Sequence, residues 1–240
     1  MLQRLDKIIA SQGTISRTEV KKAIRSGRVT AAGTVCKDPA WKVDPDQVEI
    51  AFDGSPLGYR SFLYVMLNKP AGVLCVSRDP KVPTVVDLLP TAFRRKGLFP
   101  AGRLDKDTVG LVIITNDGEY AHRLLSPAAH VVKRYQARLD VPVGKEAAAA
   151  FAAGITLADG TKCRPAALRV LPQEEGRLAE VEITEGKYHQ VKRMFAAVGC
   201  RVVWLKRCSI GGLLLDSRLA EGACRELTEA EKAAVFAACQ

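Results

Sequence analysis

The stretch Ala101-Gly-Arg-Leu-Asp-Lys-Asp-Thr-Val-Gly-Leu111 is the most informative part of this sequence. It places two aspartates, an arginine and two glycines directly before a short apolar run, Gly110 to Thr115, which we interpret as a buried strand. An aspartate in such a loop is usually a turn residue that caps local backbone amides. The alternative is that Asp105 or Asp107 is a nucleophile or a base held beside the end of a strand.

Paired carboxylates are also typical of glycosidases, but the spacing of this pair argues against that chemistry. Side chains at positions i and i+2 of an extended chain point to opposite faces. The two carboxylates of a glycosidase converge on one bond and lie about 5 to 9 Å apart. Only a partner carboxylate elsewhere in the chain would restore the glycosidase interpretation.

The composition predicts a soluble protein that binds a polyanion. The chain has 240 residues, of which 48% are hydrophobic and 26% charged, so one or two ordinary globular domains are expected. No apolar run approaches 18 residues and the N-terminus lacks a secretory core, which predicts a cytoplasmic protein without a membrane segment. The net charge of +10 favours nucleic acid as the partner.

Cofactor and metal motifs are missing from the sequence. The seven cysteines are odd in number and none are spaced as C-x-x-C, which predicts free thiols in a reducing compartment. The three histidines form no metal-binding spacing, and neither glycine-rich phosphate-binding motif is present. We therefore expect no metal and no nucleotide cofactor.

The N-terminal segment predicts two short helices and a hairpin. Ser16 and Glu19 form a capping box for the second helix, and the hairpin turns at Ala32-Gly33. Residues 1–28 carry only two acidic groups, and the net charge of this stretch is +5. Such a face is either merely solvated or binds phosphates, and we predict RNA contacts. The seven basic residues are Arg4, Lys7, Arg17, Lys21, Lys22, Arg25 and Arg28.

The rest of the chain alternates strands and helices irregularly, which predicts an α+β fold with a mixed, mainly antiparallel sheet flanked by helices. We interpret Asp53–Gly58 as a linker, which gives an N-terminal domain with linker over residues 1–57 and a larger domain over residues 58–240. A helix is predicted from Tyr188 to Val198. Residues from Lys187 to Arg207 carry no acidic group, so Lys192 and Arg193 are further candidates for RNA binding.

Several of these motifs resemble known families. Arg4-Leu-Asp-Lys7, Ser16-Arg17 and Ile24 to Val29 resemble the S4 RNA-binding domain. Gly102 to Leu111 resembles the signature loop of the pseudouridine synthases, and three more of their motifs appear in the right order. These are Leu67-Asn-Lys-Pro-Ala-Gly72, Lys133-Arg-Tyr135 and Glu185 to Met194. The chain is most similar to the bacterial small-subunit type, the 16S rRNA pseudouridine(516) synthases.

The resemblance implies an isomerase that converts one uridine of 16S rRNA, or of a small-subunit assembly intermediate, to pseudouridine without a cofactor. It implies that Asp105 is the nucleophile acting on a flipped-out base and that Lys187 is the cation beside it. By the same resemblance, Tyr135 is the active-site tyrosine and Arg103 helps to hold the flipped nucleotide. From the residues alone, Tyr135 is more typical of a core aromatic, and His189 and Gln190 of packed, hydrogen-bonded groups. We expect a monomer.

Two other hypotheses compete with this one. A non-catalytic RNA-binding protein would use the same basic surfaces, but it has no need of an acidic group within a basic loop. A carboxylate-using hydrolase would release a base or a sugar, whereas isomerisation leaves the mass of the RNA unchanged. The presence of Asp105 therefore favours an enzyme over an RNA-binding protein. The reaction product distinguishes an isomerase from a hydrolase.

Overall fold

A computed structural model describes residues 1–13, 15–93, 95 and 97–237, and the chain divides into two compact units. The first unit comprises Met1–Leu63 with Leu89–Leu98, and the second comprises Tyr64–Leu88 with Phe99–Gln240. The domain boundary after residue 57 stays a prediction. Across the described ranges, no helix is both long and apolar enough to cross a membrane.

The first unit contains two helices and six short strands. Its elements are β1 (Gln3–Arg4), α1 (Leu5–Ser11), α2 (Arg17–Arg25), β2 (Val29–Ala31), β3 (Thr34–Val35), β4 (Lys42–Val43), β5 (Ile50–Phe52) and β6 (Ser55–Pro56), with a 3-10 turn at Thr91–Phe93. The predicted capping box is confirmed, since Ser16 and Glu19 bond reciprocally at the start of α2. Apolar side chains of both helices, including Leu5, Ile8 and Ile24, are fully buried in the core of this unit.

Two hairpins build the four-stranded sheet of the first unit, whose order is β3-β2-β5-β6. The predicted β2–β3 hairpin is confirmed, with Ala32 and Gly33 both at positive φ. The interpretation of Asp53–Gly58 as a linker is wrong, because Asp53 and Gly54 form the turn of the β5–β6 hairpin. An Asp-Gly pair suits a tight hairpin turn because both central residues must adopt positive φ.

The second unit is built on a nine-stranded mixed sheet. Its strands are β7 (Tyr64–Lys69), β8 (Phe99–Pro100), β9 (Val109–Thr115), β10 (Lys133–Leu139), β11 (Ala167–Leu171), β12 (Leu178–Ile183), β13 (Val202–Ile210), β14 (Leu213–Leu214) and β15 (Cys224–Glu226). Its helices are α3 (Gly118–Leu125), α4 (Ala147–Ala153), α5 (Gln190–Ala197) and α6 (Glu229–Ala234), with 3-10 turns at Pro127–Ala129 and Gln173–Gly176. The order β11-β12-β10-β13-β9-β7-β15 is extended by β14 on β13 and β8 on β9.

The predicted α+β class and mainly antiparallel sheet are confirmed, since β9 and β13 are the only named strands of the described residues that pair in parallel. Every residue of β9 is buried, as the apolar run predicted. One predicted helix begins too early: α5 starts at Gln190 rather than Tyr188, because His189 adopts a left-handed conformation with φ 48°. A single left-handed residue interrupts the helical hydrogen-bond pattern, and apolar periodicity does not reveal it.

Gly110 lies where the two parallel strands meet, opposite Arg207. Its φ is +101°, and a Cβ at this position would lie 2.3 Å from the carbonyl oxygen of Arg207. No residue with a side chain fits so close to a neighbouring backbone. Glycine at position 110 therefore allows β13 to pack directly against the start of β9, where the Asp105 loop ends.

Candidate active site

A cleft in the second unit brings together all four residues predicted to be catalytic. It encloses a volume of about 80 Å³, and Arg103, Asp105, Tyr135 and Lys187 all line it. The loop before β9, strand β10 and the segment leading into α5 each supply part of the wall. Residues that are far apart in sequence therefore converge on one concave site, as catalysis by several groups requires.

Lys69 holds the loop that carries Asp105. Its side chain is completely buried, and its Nζ donates to the carbonyl oxygens of Pro70 at 3.0 Å, Lys106 at 3.1 Å and Thr108 at 2.8 Å. Burial lowers the pKa of Lys69. Three carbonyl acceptors satisfy the three donors of the ammonium, so the buried group acts as a fixed cross-link between the end of β7 and the loop.

The cation beside Asp105 is Lys192. Its Nζ lies 3.2 Å from Oδ2 of Asp105 and 2.6 Å from Oδ1 of Asp107, while Nε2 of His189 lies 3.5 Å from Oδ1 of Asp105. Burial opposes the charge of Lys192, but hydrogen bonds from its ammonium to Asp107 and Asp105 raise its pKa overall. The hydrogen bond from Lys192 lowers the pKa of Asp107. The site thus contains an ion pair that links the loop to α5.

The expectation that Lys187 is the partner of Asp105 is wrong. The ammonium of Lys187 contacts the Glu185 carboxylate and donates to the carbonyl oxygen of Lys162 at 3.1 Å. Glu185 lies only two residues from Lys187 and competes with Asp105 for its ammonium. This proximity is visible in the sequence and could have indicated the pairing. Lys192, expected to contact RNA, turns instead towards the aspartates because it lies in the first turn of α5.

Tyr135 and Arg103 differ in their surroundings. The Tyr135 side chain lies on the buried face of β10 with Ala137 and Leu139, yet it also lines the cleft. Both interpretations of Tyr135 are therefore compatible with its position. Arg103 is exposed at the cleft, and its guanidinium forms no hydrogen bond or salt bridge with a residue in the described ranges. It is free to bind an anionic ligand.

The charges of the N-terminal unit are less one-sided than the sequence indicated. Asp6 is completely buried and pairs with Arg4 at 3.0 Å and Arg17 at 3.2 Å. Burial alone would raise the pKa of Asp6, but hydrogen bonds from the two arginines hold it below its ordinary value. Arg28 pairs with Asp53 in the same unit. The remaining predicted RNA contacts carry no salt bridge to a described residue: Lys7, Lys21, Lys22 and Arg25.

The remaining predictions concern Gln190 and His189 at the cleft, one RNA contact, metal ligands and the cysteines. Gln190 is buried and donates to Glu185 at 2.7 Å, whereas the His189 side chain is 37% exposed and lies beside Asp105 rather than packed in the core. Arg193, a predicted RNA contact, pairs with Asp159 at 2.5 Å. Within residues 1–13, 15–93, 95 and 97–237, no group of three or more potential metal ligands is found. Six cysteines are free thiols in the same ranges, and Cys239 lies outside them.

Comparisons with known proteins identify the family. The family described as RNA pseudouridylate synthase matches residues 63–197, and the S4 domain matches residues 3–48. The chain is 47% identical to the uncharacterised RNA pseudouridine synthase YtzG of Bacillus subtilis, over 95% of this chain and 96% of that protein. It is 48% identical to ribosomal small subunit pseudouridine synthase A of Salmonella typhimurium, over 97% and 99% of the two chains.

A solved structure titled as a crystal structure of pseudouridylate synthase is also similar. It is 39% identical, covers 97% of this chain and 99% of its own, and gives a TM-score of 0.67. The chain belongs to the RNA pseudouridylate synthase family and is an isomerase with an S4 domain. The matched region contains Asp105, Tyr135 and Lys192.

Asp105→Asn is expected to abolish turnover while RNA affinity changes by less than about threefold. The carboxylate is lost, but an acidic group contributes nothing to the attraction of phosphates. Formation of a C1′–C5 bond displaces the hydrogen on C5, so tritium release from [5-³H]uridine RNA measures turnover. Asp107→Asn is the matched control and should be milder, since Asp107 is 73% exposed and lies on the far side of Lys192. Wild-type tritium release by Asp105→Asn would contradict the assignment.

Lys192→Gln is expected to lower kcat by about 10²-fold with little change in KM, because electrostatic groups at a reacting centre typically contribute that much. Lys192→Arg should recover most of the rate by restoring the charge. Lys187→Gln, which removes a cation paired elsewhere, should lose less than about tenfold. Single-turnover rates of the three variants show which lysine assists Asp105. A larger loss of rate for Lys187→Gln than for Lys192→Gln would assign that role to Lys187.

Proposed function

We propose that this protein converts one uridine of small-subunit (16S) ribosomal RNA to pseudouridine, at position 516 by the resemblance of its motifs. The similarity to enzymes named ribosomal small subunit pseudouridine synthase A extends over nearly the whole of both chains, including the N-terminal unit. Another relative of similar identity carries no stated substrate, so the choice of RNA needs its own test.

The observation that carries the proposed chemistry is an aspartate in a cleft beside one cation and a buried tyrosine. In the reaction, the C1′–N1 bond breaks, the uracil turns, and a C1′–C5 bond forms. A proton leaves C5 and N1 gains one, so no atom is added to the RNA and no electron acceptor is needed. A carboxylate nucleophile and a group that moves one proton are sufficient for this isomerisation.

The described side chains can fill these roles. The Asp105 carboxylate attacks either the sugar or the base, and the ammonium of Lys192 at 3.2 Å orients and balances it. Tyr135 offers a ring against which the uracil stacks and a hydroxyl that can share in removing the C5 proton. Arg103 holds a phosphate of the flipped nucleotide with its free guanidinium.

Capture of the RNA needs surfaces outside the cleft. Extrusion of a base from folded RNA costs a few kcal/mol, which binding to the surrounding RNA must supply. In the N-terminal unit, Lys7, Lys21, Lys22 and Arg25 are the cations available for phosphate contacts, while Arg4, Arg17 and Arg28 also hold internal carboxylates. The four side chains assigned to the reaction all line a cleft within one unit, so the proposed chemistry needs no residue from a second copy. We propose that the enzyme acts as a monomer, in the cytoplasm where its RNA is found.

The substrate is expected to be 16S rRNA, naked or in an assembly intermediate, and a single position should be modified. Purified protein is offered equal amounts of 16S and 23S rRNA, each naked and partly assembled, and products are mapped by primer extension after carbodiimide treatment. The Asp105→Asn variant is the control for background stops.

Three outcomes would contradict the proposal in different ways. Pseudouridine confined to 23S rRNA would support the proposed isomerisation but contradict 16S rRNA as the substrate. Release of free uracil or of an abasic RNA would indicate hydrolysis and contradict the isomerisation itself. Binding of 16S rRNA without modification of any form would favour the non-catalytic alternative.

A further inference from the structure

Two aromatic side chains are stacked at the edge of the cleft. The rings of Tyr188 and His189 lie with their centroids 3.9 Å apart and their planes 18° apart. His189 lines the cleft beside Asp105, whereas the Tyr188 side chain projects outwards and is 75% exposed. No other phenylalanine, tryptophan or tyrosine in the described ranges is as exposed. A tyrosine usually buries most of its ring, so an exposed one beside an active site calls for a ligand.

The backbone fixes this aromatic pair in place. His189 has a left-handed conformation, which is uncommon for a residue other than glycine and persists only where neighbours enforce it. The buried Gln190 side chain accepts from the backbone amide of Lys187 at 2.9 Å and donates to Glu185 at 2.7 Å. Together these bonds hold both ends of the turn. The ring pair is therefore ordered before any ligand arrives, which reduces the entropy lost on binding.

Two arginines lie near the pair. Arg193 donates to the carbonyl oxygen of Tyr188 at 3.4 Å and also holds Asp159, while the free guanidinium of Arg103 lines the same cleft as His189. An exposed π face among cations matches the chemistry of an unpaired nucleotide, whose base stacks while its phosphate is attracted by positive charge. An acidic peptide would use the charges but not the ring, and an apolar partner would use the ring but not the charges.

We propose that Tyr188, backed by His189, is a stacking platform for the unpaired nucleotide next to the target uridine. This inference rests on the proposed function, since it needs an RNA with one nucleotide in the cleft. When the uridine is flipped out, its neighbour loses a stacking partner, and the ring of Tyr188 replaces that partner. Tyr188 is thus a positioning residue that selects RNA in which the target lies in a single-stranded segment.

A platform of this kind affects binding rather than chemistry. The flanking base stacks on Tyr188 both before and during the reaction, so its contribution to the ground state equals its contribution to the transition state. Loss of the ring therefore raises KM and leaves kcat nearly unchanged. This split distinguishes Tyr188 from Asp105 and Lys192, whose variants lose kcat.

The first test compares three substitutions in the full chain, with 16S rRNA as substrate. Tyr188→Phe keeps the ring and should remain within about twofold of the wild-type KM. Tyr188→Leu keeps apolar bulk without a π face and, like Tyr188→Ala, should raise KM about tenfold or more, as the loss of one stacked base implies. All three should retain kcat within about twofold and unfold at the wild-type temperature. A wild-type KM for Tyr188→Leu would overturn the proposal.

The second test observes the stack directly and uses the unmutated protein as well. 2-Aminopurine is placed at each nucleotide flanking the uridine that primer extension identifies, and its fluorescence is measured on binding. Wild type and Tyr188→Phe should quench one of the two positions, and Tyr188→Leu should not. If the wild-type protein quenches neither position while it still forms pseudouridine, the platform is wrong and the proposed function survives. If the wild-type protein modifies no uridine of 16S rRNA, the proposed function fails, and this inference fails with it.

Discussion

The contact between Gly110 and the backbone of Arg207 is the constraint on which the catalytic unit depends. Strands β9 and β13 run parallel at this point, and they approach so closely that a Cβ on residue 110 would lie 2.3 Å from a carbonyl oxygen. Because β9 is buried along its whole length, the loop that precedes it emerges at a fixed place. Asp105 therefore takes its position from the centre of the sheet, and Lys69 secures the same loop from the neighbouring strand β7.

Carboxylates paired with cations organise both units. In the catalytic unit, the ammonium of Lys192 joins Asp105 and Asp107 to helix α5, so Asp105 and the helix keep a fixed spacing. In the N-terminal unit, the buried Asp6 gathers Arg4 and Arg17. Removing one partner from such a group leaves a charge or a donor unsatisfied, which typically costs a few kcal/mol. Each carboxylate thus fixes the position of the cations that pair with it.

The sequence predicted the elements with strong periodicity and the residues that line the cleft. It predicted less well which charged side chains form ion pairs with each other. The buried strand that ends at Thr115 and the capping box at Ser16 follow from local rules that act within one element, and the α+β class follows from the order of such elements. The ion pairs do not, because Lys187 and Lys192 lie in one basic run, and Glu185 beside Lys187 is the one local sign that Lys192 is the lysine that meets Asp105.

Short-range backbone choices account for the other differences. The Asp53-Gly54 turn is compatible with either a linker or a hairpin, and its strands of two and three residues are too short to show a pattern. Helical periodicity alone places Tyr188 within the helix. The left-handed conformation of His189 instead delays the start of α5 and leaves Tyr188 projecting into solvent.

The most direct test of the account is a crystal structure of the Asp105→Asn variant bound to a 16S rRNA fragment that contains the mapped uridine. The account predicts that this uridine is extruded into the cleft, with its base against the ring of Tyr135 and its sugar or base within hydrogen-bonding distance of residue 105. A uridine that remains stacked in the RNA, or that binds away from residue 105 and Lys192, would contradict it.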